Sequence, residues 1–458
     1  MELDKNQHVF FAGIGGVSMS GLAHALLKLG FTVSGSDIAD SPTVQALRAD
    51  GATVHIGHAA SNVTGSKVVI RTTAVPDGNP EIVAAKVAGI PIHHRSELLA
   101  WMCRGKHGIA ISGTHGKSST TAMAATVFLA AGTDPTVFVG AESPLLGGNF
   151  RLGDGDAVIF EACESDGSFV HYVGTSQVIT SIEADHLDQH GSIEGVIHAF
   201  ERFAAVADRE GFIVYNADSP VVTRVAETSP TAHHLSYGLH VPADLQARKV
   251  QITAQGSDFE LLYHDEKVCD VHLQVMGEHM VSNALAALGC AVASGLDLCE
   301  AARGVATYHT IGRRFEFVAE CKGVRIVDDY AHHPTEIQAT LAAARKTHEG
   351  RLVAVFQPHL RSRTRDLLTE FGQSFRDADL VVLTDIYQPR DDGLEFFDVS
   401  HLVDEIRRNE PDKPLELVRD KTQLAQALKE LVRPGDLVLT LGAGDIYKVG
   451  QQLAELLV

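Results

Sequence analysis

The chain has 458 residues, 45% of them apolar and 21% charged, and a formal net charge of −20 at pH 7. That length exceeds a single core and predicts about three domains of ordinary size. No apolar run approaches the roughly 20 residues of a membrane span, and the acidic balance argues against a nucleic-acid partner, whose phosphates require clustered Lys and Arg. The start Met1-Glu2-Leu3-Asp4-Lys5-Asn6 is polar and leads directly into a strand, so no signal peptide is expected. Six scattered cysteines (Cys103, Cys163, Cys269, Cys290, Cys299, Cys321) form no CxxC pair. Reduced thiols and a cytoplasmic location are the expectation.

The first segment opens with a buried strand, the turn Gly13-Ile14-Gly15-Gly16, and an apolar-periodic helix running to Leu29. Gly30 closes that helix, and Thr32-Val-Ser-Gly-Ser-Asp37 reads as the next strand. This is a βαβ unit with glycines in the first turn and an acid, Asp37, at the tip of strand two. Ser18 stands where the dinucleotide fingerprint has its last glycine, so the turn reads as a nucleotide-diphosphate site or simply as a tight turn. Strands near Lys67–Thr72 and Pro91–His93 extend the alternation to a doubly wound domain of about a hundred residues.

The second segment contains the most informative run, Ile109-Ala-Ile-Ser-Gly-Thr-His-Gly-Lys-Ser-Ser-Thr-Thr121. An apolar strand ends in a glycine-flanked turn that delivers Lys117 and Ser118 to the start of a helix. Backbone N–H groups and the positive helix end favour an anion there, Lys117 reaches outer phosphates, and the Ser118 hydroxyl suits magnesium. Ile111 occupies the place of the first P-loop glycine. Later strands, Ala157–Glu161 and Gln177–Ile182, also end in polar residues. Ligand sites of open α/β sheets lie at the carboxyl ends of strands, so Lys117, Glu161 and Glu183-Ala-Asp-His186 are expected to converge. Glu161 and His186 suit magnesium, which prefers hard oxygen ligands and tolerates an imidazole. Asp166 and Asp185 read as supporting groups, and Glu164 as solvent-facing. Strand-like alternation between Ala247 and Val275 predicts an antiparallel extension, followed from Gly277 by an alanine-rich helix.

The third segment follows Gly312-Arg-Arg-Phe-Glu316, with strands expected at Val324–Asp328, Leu352–Phe356, Leu380–Thr384 and Leu437–Leu441. Asp328-Asp-Tyr330 at a strand end reads as a ribose or substrate contact. Gln357-Pro-His359-Leu-Arg361-Ser-Arg363 offers cations to a carboxylate or phosphate. The run His332-His333-Pro-Thr-Glu336 lacks HExxH spacing, and consecutive histidines on an extended segment point opposite ways, so it does not read as a zinc site.

Taken together and in order, GIGGVSMSG, SGSD, GTHGKSSTT, EACESDGSF, IEADHLD, GRRFE, DDYAHHPTEI, VFQPH…SRT and LGAGDI cover nearly the whole chain and resemble the Mur ligase family. The resemblance implies an α/β, three-domain Mur ligase architecture: a Rossmann-like domain over 1–106 for a UDP-sugar, a central P-loop ATPase domain over 107–312, and a Rossmann-like domain over 313–458 that closes over an amino acid. It also implies ATP and magnesium, UDP-N-acetylmuramate and L-alanine as substrates, and an acyl-phosphate route in cytoplasmic peptidoglycan synthesis.

Carried over by position, Gly113, Thr114, His115, Gly116, Lys117, Ser118 and Ser119 cradle ATP, with Lys117 on its β- and γ-phosphates. Ser118 and Glu161 hold one magnesium, and Glu161 and His186 a second. His279 and Asn283 sit against adenine, while Arg314 and Asp329 reach the nucleotide from the third domain. His332, His359 and Arg363 line the alanine pocket. Gly13, Gly15, Gly16 and Ser18 take the uridine diphosphate, with Asp37 near the uridine.

The chain departs from the family pattern at Met280, usually asparagine, at Leu360-Arg361, usually Arg-Tyr, and in the loop Ile386-Tyr-Gln-Pro-Arg-Asp-Asp392. Sister ligases use a carbamylated lysine at the second magnesium, yet no lysine lies between Lys117 and Lys249. Three rivals remain open: a ligase that joins a whole tripeptide to the same sugar acid, an NAD-dependent dehydrogenase, and a non-catalytic nucleotide-binding regulator. The tripeptide ligase usually carries a cysteine after the isoleucine of the first loop, where this chain has Gly15. The dehydrogenase leaves Lys117, Glu161 and His186 unexplained.

Overall fold

The computed structural model describes residues 1–388 and 393–458, so residues 389–392 of the divergent Ile386–Asp392 loop lie outside the described residues. The first unit runs β1 (His8–Ala12), α1 (Val17–Lys28), β2 (Thr32–Asp37), α2 (Pro42–Ala49), β3 (Thr53–Ile56), β4 (Val68–Arg71), α3 (Pro80–Ala88), β5 (Ile92–His94) and α4 (Arg95–Met102). Its strands form one parallel sheet in the order β3-β2-β1-β4-β5. The order reverses at β1, so the Gly13 loop leaves the sheet at the switch point, where ligands of such sheets bind. α1 closes with Gly30 N–H on Leu27 O and Phe31 N–H on Leu26 O, at 2.9 and 3.0 Å.

The central unit runs β6 (His107–Ser112), α5 (Lys117–Ala130), β7 (Thr136–Ser143), β8 (Gly148–Arg151), β9 (Ala157–Glu161), β10 (Ser176–Ile179), α6 (Leu187–His190), α7 (Ile193–Ala205), β11 (Phe212–Asn216), α8 (Pro220–Ala226), β12 (His233–Gly238), β13 (Leu245–Thr253), β14 (Gly256–Tyr263), β15 (Glu266–Leu273), α9 (Glu278–Ala293) and α10 (Leu298–Val305). Ten strands pair in the order β15-β14-β13-β12-β11-β10-β6-β9-β7-β8. β13 to β15 form the expected antiparallel extension. β6 lies between β9 and β10, both parallel to it, so three carboxyl ends open side by side. β10 ends at Ile179, earlier than expected, because the backbone beyond it turns to hold the phosphate loop: Thr180 N–H bonds Ser112 O, and Ser181 O accepts from Thr114 N–H.

The third unit runs β16 (Glu316–Cys321), β17 (Val324–Asp329), α11 (Pro334–Thr347), β18 (Leu352–Phe356), α12 (Arg361–Asp366), α13 (Leu368–Gly372), β19 (Leu380–Leu383), α14 (Val399–Asn409), β20 (Leu415–Leu417), α15 (Lys421–Leu431), β21 (Leu437–Leu441) and α16 (Tyr447–Leu457). Its order is β16-β17-β21-β18-β19-β20, with β16 antiparallel and the others parallel. The runs β18 and β21 are fully buried, as strands covered on both faces should be.

The packing ties the units together unevenly. One buried cluster runs without a break from Phe11, Leu22 and Leu26 of the first unit to Phe138, Phe160 and Phe200 of the second. The third unit keeps its own two clusters, one on each face of its sheet. Its seam with the central unit is mostly polar, made of the ion pairs described next.

Candidate active site

The phosphate loop is built for close approach. Gly113 has φ +144°, and a Cβ there would lie 2.0 Å from Thr180 Oγ1. Gly116 has φ +81°, and a Cβ would lie 2.4 Å from Asn283 Oδ1. Both positions therefore demand glycine. Backbone N–H groups of Thr114 and His115 are held by Ser181 O and Ser181 Oγ, and the Thr114 hydroxyl accepts from Glu183 N–H. Lys117 begins α5 and folds back, donating to Gly113 O and Thr114 O and pairing with Glu164 at 2.9 Å. Burial would lower the Lys117 ammonium, but Glu164 beside it holds the pKa above its ordinary value. The expectation that Glu164 faces solvent is therefore wrong. It is 2% exposed, because the lysine of the loop needs a buried counter-ion when its charge leaves water.

Glu161, at the end of β9, accepts from Gly140 N–H and from the Ser118 hydroxyl. Burial raises its carboxyl above the usual range, offset in part by those bonds and by Lys117 and Arg314. Ser118 and Glu161 thus meet as expected. His186 adopts a left-handed backbone at φ +51° and places Nε2 3.6 Å from Asp185 and 3.9 Å from Glu164. Burial keeps the ring below its ordinary pKa, so it offers a neutral nitrogen. The imidazole therefore sits beside Glu164, with no hydrogen bond or ion pair to Glu161 among the described residues.

A cavity of about 240 Å³ opens between the phosphate loop and the third unit. His115, Gly116 and Ser119 form one wall; His279, Met280 and Asn283 from α9 form another; Arg314, Asp329 and Glu336 close the far side. Met280 does not leave a gap, since its Sδ takes a 3.8 Å contact from Asn283 Nδ2. Burial pushes the His279 ring down to about 4, and the Arg314 charge pushes the same way. Burial also pushes Asp329 up to about 6, against Arg314, while its oxygens accept from Phe315 and Ala331 N–H. Gly116 and Ser119 at the start of α5, the Arg314 guanidinium opposite them and the His279–Asn283 wall suit a nucleotide, with the positive helix end and Arg314 toward its phosphates, and the residues present fit ATP.

In the third unit, His332 and His359 ring centroids lie 6.1 Å apart, and Arg363 Nη1 is 3.1 Å from His359 Nδ1. The three expected alanine-pocket residues are therefore together. Arg363 also reaches across the seam to Asp185 at 2.8 Å, each side chain being 6% exposed. Burial would raise the Asp185 carboxyl, yet Arg363 holds it well below the usual range. Asp185→Ala strands a buried guanidinium and is expected to weaken the docking of α12 by about 3–5 kcal/mol. A lower melting temperature and a raised KM for the amino acid should accompany it; unchanged values of both would show the pair to be idle.

In the first unit, Gly15 N–H donates to Asp37 Oδ2 at 2.8 Å, so Asp37 braces the glycine loop. Ser18, with Arg95, Gly140 and Glu161, lines a small cavity of about 30 Å³ between the first two units. The glycine-loop helix and the Glu161 carboxylate thus open on one space, whereas Gly13 and Gly16 lie at the loop itself.

Family profiles match the chain over three stretches: "Mur ligase family, catalytic domain" over residues 8–107, "Mur ligase middle domain" over 111–291 and "Mur ligase, glutamate ligase domain" over 313–444. The chain belongs to the Mur ligase family. It is 39% identical to a UDP-N-acetylmuramate–L-alanine ligase of Pelotomaculum thermopropionicum, covering 99% of this chain and 98% of that one. It is 42% identical to the ligase of the same name from Geobacter sulfurreducens, covering 98% and 97%. Among solved structures it is similar to the UDP-N-acetylmuramate–alanine ligase of Thermotoga maritima, with TM-score 0.82, 27% identity and coverage of 98% and 99%. A MurF ligase of Thermotoga maritima in complex with ADP shares the fold, with TM-score 0.65, 17% identity and coverage of 93% and 95%.

Sequence reasoning missed several members of this Mur ligase site. Glu336 carries a capping box on α11 and also faces His115, His332 and Arg314, at 3.1, 3.2 and 3.8 Å. His115 comes from the central unit and Arg314 from the turn before β16, so no local pattern announces these pairs. Glu183 was expected at this edge with His186, but its contacts to Thr335 and His115 were not.

Proposed function

We propose that this chain joins L-alanine to UDP-N-acetylmuramate at the expense of ATP in cytoplasmic peptidoglycan synthesis, with domains over 1–106, 107–312 and 313–458. The observation that carries the reading is the position of Glu161 between two units: its carboxylate shares a cavity with Ser18 of the glycine-loop helix, and Ser118 and Lys117 at the start of α5 act on it from the other side. The names borne by full-length relatives at about 40% identity support the substrate pair. Among the described residues no helix is long and apolar enough to cross a membrane.

In this reading a carboxylate oxygen of the sugar acid attacks the γ-phosphorus, ADP departs, and the alanine amine displaces phosphate from the acyl phosphate, losing a proton. Lys117 leaves Glu164 to spread its charge over the transferring phosphoryl group, where fixed charge acts most in the transition state. Ser118 and Glu161 would hold a magnesium ion that offsets phosphate charge, and His186 with its neutral nitrogen would hold a second beside the sugar acid. His279 and Asn283 hold the adenine, and Arg314 approaches the phosphates from the third domain. His332, His359 and Arg363 receive the amino acid, with Arg363 suited to its carboxylate.

The test is phosphate release with UDP-N-acetylmuramate against a panel of amino acids and the tripeptide. Release that demands L-alanine is expected; release with the tripeptide instead, or with neither, overturns the reading. Oxygen-18 placed in the substrate carboxylate should appear in phosphate, and its absence during turnover rules the acyl-phosphate route out.

A further inference from the structure

A second set of metal-ligating side chains lies outside the Ser118–Glu161–His186 region. His115 of the phosphate loop, Glu183 beyond β10 and His333 at the cap of α11 bring one ligand atom each to within 4.8 Å of one another. His115 Nε2 is 3.4 Å from Glu183 Oε2, and His333 Nδ1 is 3.7 Å from the same oxygen. Neighbouring ligands of a tetrahedral zinc ion, bound at about 2.0–2.1 Å, stand roughly 3.4 Å apart. Both separations to Glu183 match that spacing, and the two histidine nitrogens, within 4.8 Å of each other, have to draw together to share one ion.

The outer contacts aim the ligand atoms correctly. His115 Nδ1 faces Glu336 Oε1 at 3.1 Å, which leaves Nε2 for the site, and that buried nitrogen has no hydrogen-bond partner. His333 Nε2 faces Ala184 O at 3.3 Å, which leaves Nδ1, 3.7 Å from Glu183 Oε2, as the nitrogen without a proton. A carboxylate or carbonyl behind each imidazole is the arrangement that fixes tautomer and ring orientation at metal sites. The Thr335 hydroxyl holds the Glu183 carboxylate in place, and Thr335 N–H makes a long 3.4 Å contact to His333 Nδ1 that an ion would replace. Two imidazoles and one carboxylate suit zinc-class ions rather than magnesium, which prefers an all-oxygen shell.

We infer that His115, Glu183 and His333 form a site for a zinc-class divalent ion that ties the third domain to the phosphate loop. Two ligands come from the central unit and one from the third, so an occupied site holds the seam shut. Since His115 also lines the nucleotide cavity, occupancy opposes turnover. The site is separate from the magnesium positions proposed above and does not depend on the substrates being those named.

The test uses the untagged full-length chain without nucleotide, titrated with Zn²⁺ by calorimetry and with Co²⁺ by visible absorption. One equivalent should bind, with the absorption of a tetrahedral site. His333→Asn keeps a good helix cap while removing the imidazole, and Glu183→Gln removes the carboxylate from the other side of the seam. Both should lose that equivalent while melting near the wild type without metal. Glu336→Gln should weaken binding by about 10–100-fold. Zn²⁺ should inhibit wild-type turnover at saturating magnesium and spare His333→Asn. The inference is overturned if the wild type binds no equivalent, if both variants bind as the wild type does, or if Zn²⁺ inhibits wild type and His333→Asn equally.

Discussion

Lys117→Ala is expected to lower turnover by on the order of 10² or more, with UDP-sugar binding almost unchanged, because a charge aimed at the transferring phosphate counts mainly in the transition state. The sugar nucleotide is proposed to rest on the first unit, away from this side chain. The structure adds a second consequence. Lys117 is the counter-ion of Glu164, which is 2% exposed, so removing it leaves a buried carboxylate unpaired. Lys117→Ala should therefore also melt earlier, and adding Glu164→Gln should restore stability without restoring rate. Steady-state kinetics and a melting curve on the single and double variants separate the two roles. Near wild-type turnover in Lys117→Ala would sink the P-loop assignment.

The second large effect concerns magnesium. Glu161→Gln keeps the shape that accepts Gly140 N–H and the Ser118 hydroxyl but removes the anion that would hold the metal. Activity should be lost at every magnesium concentration. His186→Ala removes one nitrogen ligand only, and should show a raised magnesium requirement that excess metal or manganese partly relieves, manganese accepting nitrogen more readily. A magnesium titration of both variants decides the matter. Wild-type behaviour of His186→Ala across the titration would make His186 structural and end the two-metal reading. The placement of Glu164 near His186, at 3.9 Å, makes Glu164→Gln the informative companion, since it removes one of the two acids beside that imidazole, Asp185 at 3.6 Å being the second.

Local chemistry made much of this protein legible in its sequence. The glycine turn after His8–Ala12, the Lys117 loop after His107–Ser112 and the polar ends of β9 and β17 announce ligand-bearing strand ends, because short buried apolar runs and the turn residues that end them act over a few positions. The antiparallel extension and the α9 helix were readable for the same reason. Glu164 was not. Three positions beyond Glu161 in a loop, it carries no periodic signal, and its burial depends on a lysine 47 residues away.

The order of strands likewise came only from the fold. Placing β6 between β9 and β10 is what brings Lys117, Glu161 and the Glu183–His186 run to one edge. By itself, the sequence determined three α/β units, their phosphate-binding turns and the residue types that face them, since those depend on short-range pattern. The tertiary structure decided which charges meet: Lys117 with Glu164, Arg363 with Asp185, and His115 with Glu183 and Glu336. Coulomb energy depends on separation in space and on burial, and neither follows from separation along the chain.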